Sequence, residues 1–178
     1  GHGGLQVEYE PVFAPLRPHL GAATSLLVVP DDVLNILPFE ALVEKAVDVG
    51  IAVDMVVIHS ITCPPGHFGT ADIAALFLGT LDTTKHPAYR EVEGRELSAH
   101  FLVDRAGRVT QFVATDRVAY HAGASRWRGR EGCNDFSVGI ELVGDADRDF
   151  SARQYATLAR LCRDLMREHP GITPRRIV

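Results

Sequence analysis

Short apolar runs and alternating segments predict several strands along this chain. Residues 55–58 form a continuous apolar run, and residues 136–142 form a second, mainly apolar one that contains a glycine and a glutamate. Runs of this length are typical of buried strands. Residues 99–104 and 109–113 each combine apolar and polar side chains, and the short glycine-containing segment between them predicts a β-hairpin.

Apolar residues at helical spacing separate these strands. Residues 71–80 predict one helix, and the segment from Ser151 to about Glu168 predicts a longer one, in which Ser151 is a typical N-cap. Ile177 begins a further short apolar stretch that predicts one more strand. Polar segments containing glycine or proline predict loops over residues 60–69, 82–95 and 123–134.

The first fifty residues carry two further elements in the sequence pattern. Residues 26–29 are a short β-branched run that ends at a proline, which predicts a strand followed by a turn. Residues 38–47 have apolar side chains at helical spacing, which predicts a helix.

Composition narrows the class of protein. The chain has 178 residues, which is the length of one ordinary domain. Hydrophobic residues make up 46% and charged residues 23%, as in soluble globular proteins. The net charge of −5 argues against nucleic acid as a partner, because phosphate contacts need clustered Lys and Arg. No apolar run approaches the length of a membrane span, so no membrane partner is expected.

The cysteines indicate a reducing compartment. Cys63, Cys133 and Cys162 form no CxxC pair, so the sequence predicts neither a disulfide framework nor a thiolate zinc site. No positively charged segment is followed by the apolar stretch of a secretory leader. We therefore expect a cytoplasmic location.

Two side chains in or beside apolar strands are candidates for catalysis. His59 follows the first apolar run, where α/β sheets tend to place functional groups. Glu141 lies inside an apolar strand, and near a metal it would be ready to accept a proton from water. Each also has a structural interpretation, His59 as a packing or capping residue and Glu141 as an outward-facing one. For His100 and His121, at other strand ends, the pattern favours hydrogen-bonded scaffold roles.

Six segments in the same order resemble a known family. They are VIHS at 57–60, PPGHFG at 64–69, LFLGTLD at 76–82, SAHFL at 98–102, AYHAG at 119–123 and CNDFSVGIEL at 133–142. With these segments the chain resembles the bacterial anhydro-muropeptide amidases of the Amidase_2 family, relatives of phage T7 lysozyme and the peptidoglycan recognition proteins. The resemblance implies a single-domain α/β fold, with a mixed central β-sheet flanked by helices.

The same resemblance implies a chemistry. It is zinc-dependent hydrolysis of the amide bond between (anhydro-)N-acetylmuramic acid and L-alanine, with a peptidoglycan-derived muropeptide as the partner. His59 matches the family's first zinc ligand, and Glu141 matches its general base. Tyr120, His121 and Asn134 match segments that line the substrate groove; Tyr120 stands where tryptophan is more usual.

One part of the family pattern is absent. The remaining two zinc ligands belong to a segment of the form GHxDIAPxRKxDPG, which is expected beyond Val178, so the resemblance implies a domain truncated at its C-terminus. A single imidazole does not hold zinc at useful affinity, so hydrolysis needs ligands supplied from elsewhere. Two alternatives stay open: a metal-free muropeptide-binding module, and a chimeric or designed protein with no retained activity.

The beginning of the chain resembles a different family. FAPLRPHL at 13–20, LVVPD at 27–31 and LPFEAL at 37–42 make residues 11–42 similar to a fragment of a CHAT domain, the caspase-like peptidase fold. The His and Cys segments of such a peptidase are missing. We therefore expect an N-terminal segment, 1–50, that is partly CHAT-like, followed by an amidase-like domain, 51–178.

Overall fold

The structure is a computed structural model that describes residues 52–145 and 147–178. The strand predicted over residues 26–29, the helix predicted over 38–47 and the CHAT-like fragment at 11–42 lie outside the described residues. These three stay predictions.

A mixed sheet forms the centre of the described part of the chain. Its four strands are β1 (Met55–Ile61), β2 (Phe101–Val103), β3 (Val109–Gln111) and β6 (Ser137–Val143). They lie in the order β1-β6-β2-β3, with β6 parallel to both neighbours and β3 antiparallel to β2. The predicted hairpin is thus β2–β3, and the two apolar runs are β1 and β6.

The last residues of the chain extend this sheet beyond β1. Ile177 forms a parallel bridge with Val56. The N–H of Val178 donates to the Val56 carbonyl at 3.0 Å, and the Val178 carbonyl accepts from the N–H of Ile58 at 2.7 Å. The additional strand predicted at Ile177 is therefore present as a short parallel pairing.

The long helix α2 (Ala152–Glu168) covers one face of the sheet. Ser151 is its N-cap and forms a capping box with Gln154, as the sequence predicts for this position. The buried face of α2 packs against the side chains of β1, β2 and β6 that point to its side of the sheet. This core contains Val56, Ile58, Val138, Ile140, Leu142, Leu158, Cys162 and Leu165.

Gln154 joins the start of α2 to the ends of two strands. Its side chain is fully buried, and its Nε2 donates to the carbonyls of Val103 at 3.2 Å and Val143 at 2.9 Å. Its Oε1 accepts from the N–H of Ser151 at 3.0 Å. These bonds satisfy backbone groups that the packed helix shields from water.

Replacing Gln154 by Ala is expected to lower the free energy of unfolding by about 1–3 kcal/mol, because buried polar groups lose their partners. Urea unfolding measures this loss. Gln111→Ala is the matched control, since Gln111 is exposed on β3, and we expect a change within about 0.5 kcal/mol there. Equal losses in the two variants would contradict the role of Gln154.

The other face of the sheet carries two apolar clusters. One contains Met55, Val57, Cys133, Phe136 and Val178. The second contains Leu102 and Val143 and includes residues from the helix α1 (Ala71–Phe77) and from the 3-10 helix Pro87–Val92. The polar side chains of the candidate site come from the same face of the sheet.

Several predicted bounds and loop assignments are corrected by the structure. Strand β1 extends to Ile61 and so includes the first two residues of the loop predicted over 60–69. Helix α1 ends at Phe77 rather than residue 80, because Gly79 adopts a φ of +67° that does not continue a helix. The segment 82–95 is not entirely loop, since it contains the 3-10 helix Pro87–Val92.

A further correction concerns residues 123–134, predicted as a long surface loop. They contain a small hairpin of β4 (Arg126–Trp127) and β5 (Arg130–Glu131), followed by the 3-10 helix Cys133–Asp135. Arg128 and Gly129 in the turn have positive φ angles of 46° and 87°, as the tight turns of hairpins require. Strands of two residues are too short to show alternation in the sequence.

Candidate functional site

His59 and Glu141 lie side by side on the sheet. They are partners in the parallel register of β1 and β6, so their side chains point to the same face. Both are buried, at 4% and 6% exposure. A buried imidazole beside a buried carboxylate is an arrangement suited to proton transfer or ligand binding.

The ring of His121 lies directly against Gly139 of β6. A Cβ added to Gly139 would come within 2.6 Å of the Nδ1 atom of His121 and closer still to two ring carbons. The Nδ1 atom is 3.0 Å from Nε2 of His59, and the Nε2 atom is 3.3 Å from the Ser137 hydroxyl oxygen. Both ring nitrogens of His121 therefore have protein partners.

His100 has the scaffold role that the sequence pattern favours. Its Nδ1 atom accepts from the N–H of Gly139 at 3.0 Å, which leaves the proton of the neutral ring on Nε2. That Nε2 donates to the carbonyl of Arg117 at 2.9 Å. His100 thereby links the edge of β2 to β6 and to the segment that leads to His121.

Asn134 holds the backbone that carries His121. Its Oδ1 accepts from the N–H of His121 at 3.1 Å and from the N–H of Ala122 at 2.8 Å. The preceding residue, Tyr120, is partly buried, and its N–H donates to the Ser98 hydroxyl at 2.9 Å. Asn134 and Tyr120, both candidate groove residues, thus lie in the two segments that meet around His121.

Sequence reasoning missed Gly139 and Ser137 as parts of the site. The available signal was the glycine inside the apolar strand, because such a glycine often marks the close approach of another group. Here that group is the ring of His121. Nothing in the local pattern identifies Ser137, whose contacts come from residues on other elements.

Burial keeps the three histidines neutral. It lowers the pKa of His59 to about 4 and also lowers the pKa of His100. The pKa of His121 lies well below its usual value because of burial, and the neighbouring His59 and His100 lower it further. At neutral pH each ring therefore carries a single proton.

These shifts predict a loss of stability in acid. The pKa of His59 falls from 6.5 to about 4 on folding, so the unfolded chain binds its proton first as the pH drops below 6.5. At about 1.4 kcal/mol per pKa unit, His59 alone removes on the order of 3 kcal/mol of unfolding free energy between pH 6.5 and 4. Denaturant unfolding of the metal-free chain at several pH values measures this. His59→Asn should flatten the profile; an unchanged profile would contradict the assignment.

The described residues do not assemble a metal centre. Across residues 52–145 and 147–178, no group of three or more His, Cys, Asp or Glu side chains could hold a metal ion. His100 and His121 use both ring nitrogens within the protein. The ligand set for the zinc that the family resemblance implies is therefore not present in this part of the chain, where His59 is the one candidate.

Comparison with known families decides the classification. The sequence profile of the Amidase_2 family, described as N-acetylmuramoyl-L-alanine amidase, matches residues 50–178. The chain belongs to the Amidase_2 family. The family resemblance of the six segments is thereby confirmed.

Curated relatives within the family are similar to the chain in sequence. The chain is 45% identical over 118 residues to the 1,6-anhydro-N-acetylmuramyl-L-alanine amidase AmpD of Salmonella typhimurium, covering 66% of this chain and 63% of that protein. It is 43% identical over 126 residues to AmpD of Haemophilus influenzae, covering 71% of this chain and 68% of that protein. The chain thus spans slightly less than two thirds of the Salmonella relative.

Solved structures confirm the fold. A crystal structure of a selenomethionine derivative of AmpD matches with a TM-score of 0.67 and 42% identity, covering 68% of each chain. The solution structure of Citrobacter freundii AmpD matches with a TM-score of 0.50 and 36% identity, covering 84% of this chain and 74% of that one. The mixed sheet flanked by helices, in a single domain, is therefore the architecture of AmpD-type amidases.

Within the part of the chain that the structure describes, no helix is long and apolar enough to cross a membrane.

Proposed function

We propose that this chain acts on 1,6-anhydro-muropeptides and hydrolyses the amide bond between anhydro-N-acetylmuramic acid and L-alanine. The observation that carries the proposal is the pair of buried side chains, His59 and Glu141, in register on adjacent parallel strands. The relatives that match the chain are named as amidases of this bond. The family membership and the placement of the pair support the same reaction.

Glu141 is the proposed general base. A carboxylate on the site face of β6 can take a proton from a water molecule as that water attacks the amide carbonyl. Glu141 lies next to His59 and between the two apolar clusters of the same face. Its low exposure limits the access of bulk water to the carboxylate.

Tyr120, His121 and Asn134 are proposed to form one wall of the substrate groove. The aromatic ring of Tyr120 is the group best suited to contact a sugar or peptide. Asn134 contributes by fixing the backbone of residues 121 and 122 with its Oδ1, which accepts from both N–H groups and is not proposed to contact the substrate.

Zinc dependence is part of the proposal, with His59 as one ligand. When bound, a zinc ion supplies Lewis-acid polarisation of the carbonyl and an activated water. Two further ligands are needed that residues 52–145 and 147–178 do not supply.

A second candidate function is muropeptide binding without hydrolysis. The observation that favours it is the lack of three candidate metal ligands in the described ranges. The arrangement of His59, His121 and Asn134 does not need a metal for its shape, because hydrogen bonds hold these residues together. The proposed hydrolysis requires zinc, whereas muropeptide binding does not.

One experiment separates the two functions. The chain is incubated with anhydro-N-acetylmuramyl-L-alanyl peptide, with and without added Zn²⁺, and release of the peptide is followed by chromatography while bound zinc is determined by elemental analysis. Amide cleavage that requires about one zinc per chain and is abolished in His59→Ala supports the amidase. Saturable binding of the peptide without cleavage supports the binding module. Equal cleavage by the wild-type and His59→Ala chains would contradict the proposed catalytic site.

A cytoplasmic location is proposed on the chemistry of the cysteines. Cys63, Cys133 and Cys162 are all free and buried. Unpaired thiols are typical of proteins in reducing compartments. The net charge of −5 favours a muropeptide over a nucleic acid as the partner.

A further inference from the structure

Four groups form a continuous chain of hydrogen bonds beneath His59. The chain runs from the carbonyl of Cys133 to the hydroxyl of Ser137, then to the ring of His121 and finally to the ring of His59. The hydroxyl of Ser137 donates to the Cys133 carbonyl at 2.5 Å, and its oxygen is 3.3 Å from Nε2 of His121. Nδ1 of His121 is 3.0 Å from Nε2 of His59. All four residues are buried.

The carbonyl at one end sets the direction of every bond in the chain. A carbonyl oxygen can only accept, so the single proton of the Ser137 hydroxyl is used on Cys133. The oxygen of Ser137 must then accept from His121, which places the proton of the neutral His121 ring on Nε2. Nδ1 of His121 is left as an acceptor.

The bond between His121 and His59 also has a fixed direction. Because Nδ1 of His121 accepts, the Nε2 atom of His59 at 3.0 Å must be the donor. A neutral imidazole has one proton, so Nδ1 of His59 carries a lone pair. The hydrogen bond made by one ring nitrogen thus determines which nitrogen is available to a ligand.

We propose that Ser137 and His121 are positioning residues that hold His59 in its Nε2–H tautomer and keep its Nδ1 unprotonated for ligand binding. The functional meaning of this proposal rests on the proposed role of His59. Ligand histidines commonly donate their other ring N–H to a fixed acceptor, which orients the ring and raises its basicity. Here the acceptor is a second imidazole, which is itself oriented by a hydroxyl.

The surroundings of His121 hold this acceptor in place. Gly139 leaves room for the ring directly against β6. Asn134 accepts from the backbone N–H of His121 and of the next residue. Since the ring is buried, turning it over would leave polar atoms without partners, which is unfavourable.

The test is the tautomer of His59 in the metal-free chain. Long-range ¹⁵N–¹H correlation spectra of the imidazole rings at neutral pH report which nitrogen is protonated. The signals of His59 and His121 are assigned from the spectra of His59→Asn and His121→Asn. We expect both residues to show a protonated, pyrrole-type Nε2 and a bare, pyridine-type Nδ1.

Two serine variants separate positioning from general packing. In Ser137→Ala the Nε2–H of His121 loses the hydroxyl that accepts from it, and we expect the ¹⁵N shifts of His59 to move toward the average of its two tautomers. Ser60→Ala makes the same chemical change on β1, on the opposite face of the sheet from His59, and should leave both rings unchanged.

A protonated Nδ1 on His59 in the wild-type chain would overturn the proposal, and so would unchanged His59 shifts in folded Ser137→Ala. The wild-type spectrum decides the tautomer even if Ser137→Ala does not fold. Because the spectra need neither substrate nor zinc, their outcome is independent of amidase activity. A chain without activity but with the expected tautomer would refute the proposed function and leave the positioning role intact.

Discussion

Replacing Glu141 by Gln is expected to lower the rate of amide hydrolysis by about 10²–10⁴-fold, the usual contribution of a general base. Glutamine has nearly the same shape but cannot accept a proton from water. The residue is buried next to His59, and the substitution keeps the size of the side chain and opens no cavity. The chain should therefore remain folded. The measurement is kcat for cleavage of anhydro-N-acetylmuramyl-L-alanyl peptide under the conditions in which the wild-type chain is active.

Glu131→Gln is the matched control for this prediction. It makes the same change on the exposed strand β5, where Glu131 pairs with Arg126. Exposed ion pairs contribute little to stability, so neither folding nor rate should change appreciably. If Glu141→Gln kept a rate within tenfold of the wild-type rate, Glu141 would not be the general base.

Replacing Gly139 by Ala is expected to disturb both stability and the site. The added methyl group would overlap the ring of His121, at 2.6 Å from its Nδ1 atom and closer to two ring carbons. The ring has no easy retreat, because both of its nitrogens and its backbone N–H are hydrogen-bonded. Overpacking of this kind typically costs about 1–3 kcal/mol of unfolding free energy. Urea unfolding measures this loss. Because a displaced His121 would also move His59, we expect a lower rate in the hydrolysis assay as well.

Gly69→Ala is the control for the methyl group itself. A Cβ at Gly69 meets no atom within 4 Å, and its φ is outside the left-handed region. The stability of that variant should match the wild-type chain or exceed it slightly, because alanine restricts the unfolded state. Equal effects at positions 69 and 139 would show that the close approach of His121 does not matter.

The helix α2 shows how much of the fold was predictable. Its apolar spacing, the Ser151 cap and the end near Glu168 are all visible along one stretch of chain, and the structure places the helix at Ala152–Glu168. The strands β1 and β6 were predicted for the same reason, since a buried parallel strand is apolar on both faces. By contrast, the hairpin β4–β5 was missed because its strands have two residues each.

For the candidate site, the identities of the residues were predictable but their contacts were not. The resemblance to the family predicted five site residues but not what each side chain contacts. These residues are His59, Glu141, Tyr120, His121 and Asn134. Asn134 proves to hold backbone N–H groups. The contact between His121 and His59 joins residues far apart in the chain, so no periodicity could reveal it.

Local patterns specify helices and strands because a residue's neighbours along the chain decide whether an apolar face can form. The family motifs likewise identified the amidase fold from six short segments. The pairing of His59 with Glu141 depends on the register of two parallel strands, and a shift of one residue would turn the carboxylate to the opposite face. The orientation of His121 depends on space above Gly139 and on a serine hydroxyl. These are contacts between distant segments, so they exist only once the sheet has formed.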